Sequence, residues 1–218
     1  MLNFSLGQPA DAAYRVLCLG AHSDDIEIGC GGSILTLLER YDNVIVRWVV
    51  FSSNEVRAAE ARVSADAFLA RAREKQVVVK SYRDGFFPFL GAQIKDDFEA
   101  IKREFNPDLV LTHFRDDRHQ DHRLISDLTW NTFRNHLVLE YEIPKYDGDL
   151  GCPNFFVPLE ESVCSRKTRI LIESFRSQGQ KQWFDEQTFL AILRLRGMEA
   201  NSQTRFAEAY YCRKAVLR

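Results

Sequence analysis

Apolar residues recur along this chain as short, nearly unbroken runs separated by stretches of helical period. RVLCLGA, VIVRWVVFS, QVVVK, DLVLTH and LVLEYEI read as strands, mostly of the kind buried on both faces. Between them, VRAAEARVSADAFLARARE and QIKDDFEAIKREF repeat their apolar positions at helical spacing. The alternation predicts an α/β fold with a mainly parallel central sheet. The charge-rich helix is expected over residues 56–75, with Val56, Val63, Ala67 and Ala70 as its apolar stripe. After Pro144 the rhythm changes: YDGDLGCPNFFVP is a turn-rich loop, and helices at 162–178 and 183–197 precede a last strand, AEAYYCRKAVL. This portion is expected to cap the sheet, so that residues 1–218 form one domain. The last strand is expected at a sheet edge, which leaves a homo-oligomer open.

Composition narrows the function classes. A hydrophobic fraction of 45% argues for a folded chain, and a formal net charge of -2 offers no basic field for nucleic acid. The five cysteines form an odd set without a CxxC pair, which fits a reducing, cytoplasmic setting. MLNFSLGQPADAAYR lacks the pattern of a signal peptide, and no apolar run approaches the ~20 residues of a membrane span, so no membrane partner is expected.

Two polar clusters carry the candidate chemistry. In AHSDDIEIGCGG, His22, Asp24 and Asp25 follow the first strand and precede a helix. In RDDRHQDHR, His119, Asp121 and His122 follow DLVLTH, with a helix beginning near Arg118. Carboxyl ends of parallel strands share one edge of the sheet, so residues remote in sequence can converge there. Imidazoles and carboxylates without thiolates suit zinc, which in catalytic sites keeps three protein ligands. His22, Asp25 and His122 supply such a set, leaving Asp24 as a general base. Each cluster alone has an ordinary explanation in helix capping or a hydrogen-bonded turn. Their joint placement after two strands is harder to attribute to capping. A competing reading takes IEIGCGGS as the loop of a nucleotide or S-adenosylmethionine site, but that needs a strand ending at the first glycine. Here the strand ends about eight residues earlier, and the glycines serve close packing or backbone approach.

These residues resemble the LmbE-like or PIG-L family of zinc-dependent de-N-acetylases, which act on N-acetylglucosamine-containing molecules. AHSDDIEIGCGG is similar to the family's A-H-P-D-D-E motif followed by glycines, with Ser23 for Pro and Ile26 for Glu; HQDH matches H-x-D-H; and RGMEANSQTRFAEAYYCRK resembles the closing segment. The resemblance implies a Rossmann-like three-layer fold and one zinc, or another divalent metal, held by His22, Asp25 and His122. It implies Asp24 as general base, His119 as an imidazolium stabilising the oxyanion, and Asp121 orienting a neighbouring histidine. Arg57 is similar to a substrate-binding arginine, and Asp84, in YRDGFF, to a residue contacting sugar hydroxyls. The implied substrate is a soluble N-acetyl sugar or sugar conjugate, giving acetate and a free amine. A catalytically silent sugar-binding relative is the remaining alternative. Ile26 removes a carboxylate that would support a ligand, which bears on metal affinity. The aromatics of YRDGFFPF and PNFFVP fit either a sugar pocket or the core.

Overall fold

The computed structural model describes residues 13–216; the amino-terminal stretch read above for a signal peptide lies almost wholly outside them. In chain order the elements are β1 (Tyr14–Gly20), α1 (Asp25–Arg40), β2 (Val44–Val50), α2 (Glu55–Phe68), β3 (Glu74–Val79), α3 (Gly91–Glu104), β4 (Leu109–His113), α4 (Gln120–Thr132), β5 (Leu137–Tyr141), β6 (Phe155–Leu159), α5 (Glu161–Ser174), α6 (Glu186–Glu199) and β7 (Phe206–Cys212). A short 3-10 turn, Phe87–Phe89, precedes α3.

One seven-stranded sheet takes the order β3-β2-β1-β4-β5-β7-β6. Strands β1 to β5 pair in parallel, and β7 runs antiparallel to both its neighbours. The chain works outward from β1 to β3 and then returns to place β4 on the other side of β1. The loops leaving β1 and β4 therefore diverge and open a crevice at the carboxyl edge, the switch point at which open α/β sheets hold ligands.

Strand residues alternate between two cores, as period-two geometry requires. Val16, Cys18, Trp48 and Tyr141 share one buried cluster with residues of α1, α2, α5 and α6. Leu17, Leu19, Val49 and Phe51 share the other with Ile94, Phe98 and Ile101 of α3 and Ile125 of α4. The three-layer α/β expectation thus holds.

Three local expectations are corrected. The helix expected over 56–75 stops at Phe68, and the residues from Glu74 onward form β3. Its inner face is Ala61, Ser64, Ala65 and Phe68, while Val56 and Val63 are exposed. The bulky Phe68, buried against Trp48, sets that face in place of the smaller alanines. The segment read as a loop contains β6, so β7 lies inside the sheet and β6 takes the edge. Pro158 stands within β6, where a missing N–H is tolerated and further pairing discouraged. The oligomer expectation thereby loses the edge it was based on.

The glycines of GCGG lie inside α1, so they form no nucleotide loop. A Cβ at Gly29 would collide with the Tyr141 ring, and one at Gly31 would stand 2.6 Å from Phe68. They let α1 lie close to its neighbours, which fixes where its first turn, carrying Asp24 and Asp25, meets the crevice. A buried ion pair holds the same helix: Lys167 Nζ lies 2.6 Å from Glu208 Oε1 and donates to Ile28 O at 2.7 Å.

Candidate active site and metal centre

The two polar clusters meet at the crevice. The turn after β1 points the His22 ring toward α4, and His22 N donates to Asp25 Oδ2 at 2.6 Å. Asp24 is the N-cap residue of α1 yet makes no side-chain cap hydrogen bond, and Asp25 sits in the first turn. Capping therefore does not account for the Asp pair. After β4, His119 caps α4 by accepting the Asp121 N–H at Nδ1, 3.2 Å away, and His122 lies one turn further on.

Three donor atoms face one another. His22 Nδ1 lies 3.1 Å from His122 Nε2 and 3.4 Å from Asp25 Oδ2, and His122 Nε2 lies 3.6 Å from Asp25 Oδ2. Each ring's outer nitrogen meets a carboxylate: His122 Nδ1 is 2.9 Å from Asp117 Oδ2, and His22 Nε2 is 3.0 Å from Asp84 Oδ1 and 3.3 Å from Asp121 Oδ2. Carboxylates behind imidazoles orient the rings and raise their basicity when a metal is held in front. Among the described residues, the donor atoms close enough together to hold a metal ion fall into three overlapping groups: His22, His119 and His122; His22, Asp84, His119 and Asp121; and Asp25, His113 and His122.

Charge follows from this crowding. Burial opposes a charge on His22, but Asp25, Asp121 and Asp84 outweigh it and raise the imidazole well above its ordinary pKa. Burial likewise works against an ionised Asp25, yet His122, His113 and His22 hold it well below the carboxylate range. Burial and neighbouring His113 push His122 down to about 4, so its ring is neutral at physiological pH. Asp117 is held low by His122 and Lys145 despite its burial. His119 is lowered by burial and then by His22. With its Nδ1 accepting a backbone N–H, His119 is left with Nε2 as the nitrogen that can donate into the crevice.

The remaining expected residues also come to the crevice. Arg57 Nη2 lies 2.7 Å from Asp24 Oδ1, so the arginine meets the carboxylate expected as a base. Asp84 stands at the mouth with its side chain 70% exposed, against His22. Asp121 accepts from Gly85 N at 2.7 Å and Phe87 N at 3.1 Å, pinning the loop after β3 to α4. The support that Ile26 cannot give comes from other elements, through Asp84, Asp117 and Asp121, while Ile26 itself is fully buried.

Two residues escaped the sequence reading. Asp117, which holds His122, is one of two adjacent aspartates in RDDRHQDHR, and an acidic residue just ahead of H-x-D-H was the available signal. His113 ends β4 fully buried, its Nε2 3.2 Å from Asp25 Oδ2 and its ring stacked on His122 at 4.0 Å. A histidine closing an apolar strand was its only mark.

Comparison with known proteins bears on the class. The family model described as GlcNAc-PI de-N-acetylase, PIG-L, matches residues 17–133. In structure, the chain is similar to a conserved protein from Thermus thermophilus, at 18% identity over 93% of this chain and 96% of that one, with a TM-score of 0.73. It is similar to the N,N'-diacetylchitobiose deacetylase from Pyrococcus horikoshii, at 23% identity, 95% and 86% coverage and a TM-score of 0.69. It is also similar to the 4-carboxy-2-hydroxymuconate hydratase of Pseudomonas putida, at 17% identity, 94% and 98% coverage and a TM-score of 0.68. One fold thus carries more than one reaction, and the chemistry has to be argued from the site.

Proposed function

Because the chain belongs to the PIG-L family, the GlcNAc-PI de-N-acetylases, we propose that it hydrolyses the acetamide of an N-acetylated amino sugar or its conjugate, giving acetate and a free amine. The observation that carries this reading is the set of three donor atoms turned inward, 3.1 to 3.6 Å apart, with a carboxylate behind each imidazole. Ligands about 2.0–2.1 Å from a tetrahedral zinc stand roughly 3.3 Å from one another, which these separations fit. His22, Asp25 and His122 would hold the metal, with zinc the expected ion. When bound, the metal supplies Lewis-acid polarisation of a water and of the amide carbonyl.

The protein's own groups carry the protons. Asp24 is buried and serves neither as a cap nor among the three inward donors, and its Arg57 partner holds the carboxylate at the crevice. In this reading Asp24 takes the proton of the attacking water and returns it to the departing nitrogen, acting first as base and then as acid. His119, with Nε2–H as donor, stabilises the negative charge that develops on the carbonyl oxygen. Asp121 holds the loop after β3 in place and backs His22, and Asp84 at the mouth is placed to accept from sugar hydroxyls. Arg57 acts through Asp24 and lies where the substrate would enter. Among the described residues no helix is long and apolar enough to cross a membrane, and a soluble sugar conjugate remains the proposed substrate, with the cytoplasm the proposed location.

The test is acetate release from a panel of N-acetylated sugars by metal-loaded protein, alongside the Asp24→Asn variant. The variant should keep its metal while kcat falls on the order of 100- to 10,000-fold. Undiminished turnover would remove Asp24 from its role. Sugar binding without acetate from any panel member would favour a catalytically silent relative.

A further inference from the structure

The loop between β5 and β6 also reaches the metal centre. Strand β5 pairs with β4 so that Tyr141 stands beside His113, and the chain after it leaves from the same edge of the sheet. Two side chains of this loop, Lys145 and Asp149, grip the segment just ahead of α4. Lys145 Nζ lies 2.9 Å from Asp117 Oδ2 and 2.6 Å from Asp149 Oδ2, and donates to Ile143 O at 3.4 Å. Asp149 Oδ2 in turn accepts from Arg118 N at 2.7 Å. Lysine is among the residues least often buried, yet the Lys145 side chain is only 13% exposed. Its three protons have three acceptors on the protein, so none is left for a substrate. Asp117 is buried and uses both oxygens. Oδ1 accepts from His119 N at 2.7 Å, and Oδ2 accepts from His122 Nδ1 at 2.9 Å while facing Lys145. One carboxylate thus fixes the backbone at the expected oxyanion donor and the ring of an expected metal ligand. The backbone of this segment has a separate anchor: Arg123 Nη1 donates to Asp117 O at 2.9 Å and to Arg118 O at 2.6 Å. Among the described residues, no other lysine or arginine pairs with the Asp117 carboxylate.

We propose that Lys145 is a positioning residue: by pairing with Asp117 it holds the His122 ring and the His119 backbone in place for the metal and the reacting carbonyl. The inference rests on the reading in which His22, Asp25 and His122 hold the metal. An imidazole that faces a metal keeps its direction through the acceptor behind its other nitrogen. That acceptor, Asp117 Oδ2, is shared between His122 and Lys145, so three donors set the plane of the carboxylate. Without Lys145, a buried carboxylate loses its cation, which is strongly unfavourable. Turning toward water relieves it and takes the acceptor away from His122 Nδ1. The metal then loses the support behind one ligand although every ligand is still present. The Arg123 anchor leaves the fold of the segment in place, so the loss falls on the site. A loop tie with no part in the site would do the reverse, lowering stability and leaving metal affinity unmoved.

The experiment measures zinc affinity, by competition with a chelating indicator, for the wild type, Lys145→Met, Asp117→Asn and the double variant. Histidine side-chain NMR of the metal-free proteins accompanies it and follows the His122 Nδ1 proton, which the bond to Asp117 protects from exchange with water. Lys145→Met should weaken zinc binding about tenfold and open the His122 proton to exchange. The double variant should bind zinc no more weakly than Asp117→Asn alone, because Lys145 acts through the Asp117 carboxylate. Lys145→Gln, which removes the charge but keeps a polar side chain, gives the same comparison if the methionine variant does not fold. Wild-type zinc affinity in Lys145→Met would overturn the proposal and leave the metal centre standing. Losses that add in the double variant would also overturn it, since Lys145 would then act by another route. If the wild type bound no zinc, the metal reading would fall and the proton would still decide. Its loss of protection in Lys145→Met would uphold the positioning of His122, and its persistence would overturn it.

Discussion

Helix α1 touches two buried polar clusters, one at its middle and one at its start, and they are built on opposite rules. At the middle, each oxygen of Glu208 meets two donors: Gly32 N at 2.7 Å and Lys167 Nζ at 2.6 Å on one, Ser33 N at 2.7 Å and Tyr210 OH at 2.9 Å on the other. Donors and acceptors match, and the carboxylate is closed to any ligand. At the start, ring nitrogens face one another and face the Asp25 oxygen, while Asp84 and Asp121 both crowd His22 Nε2. Lone pairs turned toward lone pairs are balanced by protons or by a cation. Burial of charge is thus common to a brace and to a site, and the difference lies in whether the partners complete one another.

Breaking one partner at each end should separate the two. The larger effect is expected at the brace. Lys167→Met removes the cation that faces Glu208 inside the protein, and should cost about 3–5 kcal/mol of stability, read as a lowered midpoint in denaturant. Metal stoichiometry of the folded variant should be unchanged. At the site, Asp117→Asn keeps the shape behind His122 but removes the charge, and should weaken metal affinity about 10- to 100-fold, with a much smaller loss of stability. Competition against a chelating indicator measures the first, and thermal melting of metal-free protein the second. If the two variants behaved alike, the distinction drawn between the clusters would be wrong.

How much of this was legible beforehand depended on how local the information was. Strands β1, β2, β4 and β5 lie inside the sheet, so their sequences are mostly apolar and readable at sight. Strand β6 is a half-exposed edge containing Pro158, which hides its character, and the inner position of β7 follows from pairing between distant segments. The face of α2 was misjudged because Val56 and Val63 outweigh alanine in any apolar pattern, although it is Phe68 that reaches the core. Within the site, His22, Asp24, Asp25, His119, Asp121 and His122 stood out because they cluster in two short motifs at strand ends. His113 did not, because it closes a buried and mostly apolar strand, and its closeness to Asp25 appears only when β1 and β4, remote in sequence, are laid side by side. Arg57 and Asp84 were reached through resemblance; that Arg57 pairs with Asp24 and Asp84 with His22 could not be read from their own loops.

The smallest expected effect sharpens the comparison further, because it counts protons. In the metal-free chain His22 is raised well above its ordinary pKa, by Asp25, Asp121 and Asp84 acting against burial. His122 is pushed down to about 4 and Asp25 is held low, so neither carries a proton to be displaced near neutrality. Loading the site must therefore expel one proton, that of His22, as long as the pH lies below its raised pKa. The sign follows: apparent metal affinity should climb about tenfold per pH unit through the neutral range and level off once His22 is deprotonated in the free chain. Lys167→Met should leave this slope untouched, since Lys167 and Glu208 are not among the donors proposed for the metal. Calorimetric titration with zinc in two buffers of different ionisation enthalpy measures the protons released. A count near zero would show that His22 does not give up a proton to the metal, and a count near two would bring in a second protonated group, with His119 the nearest candidate.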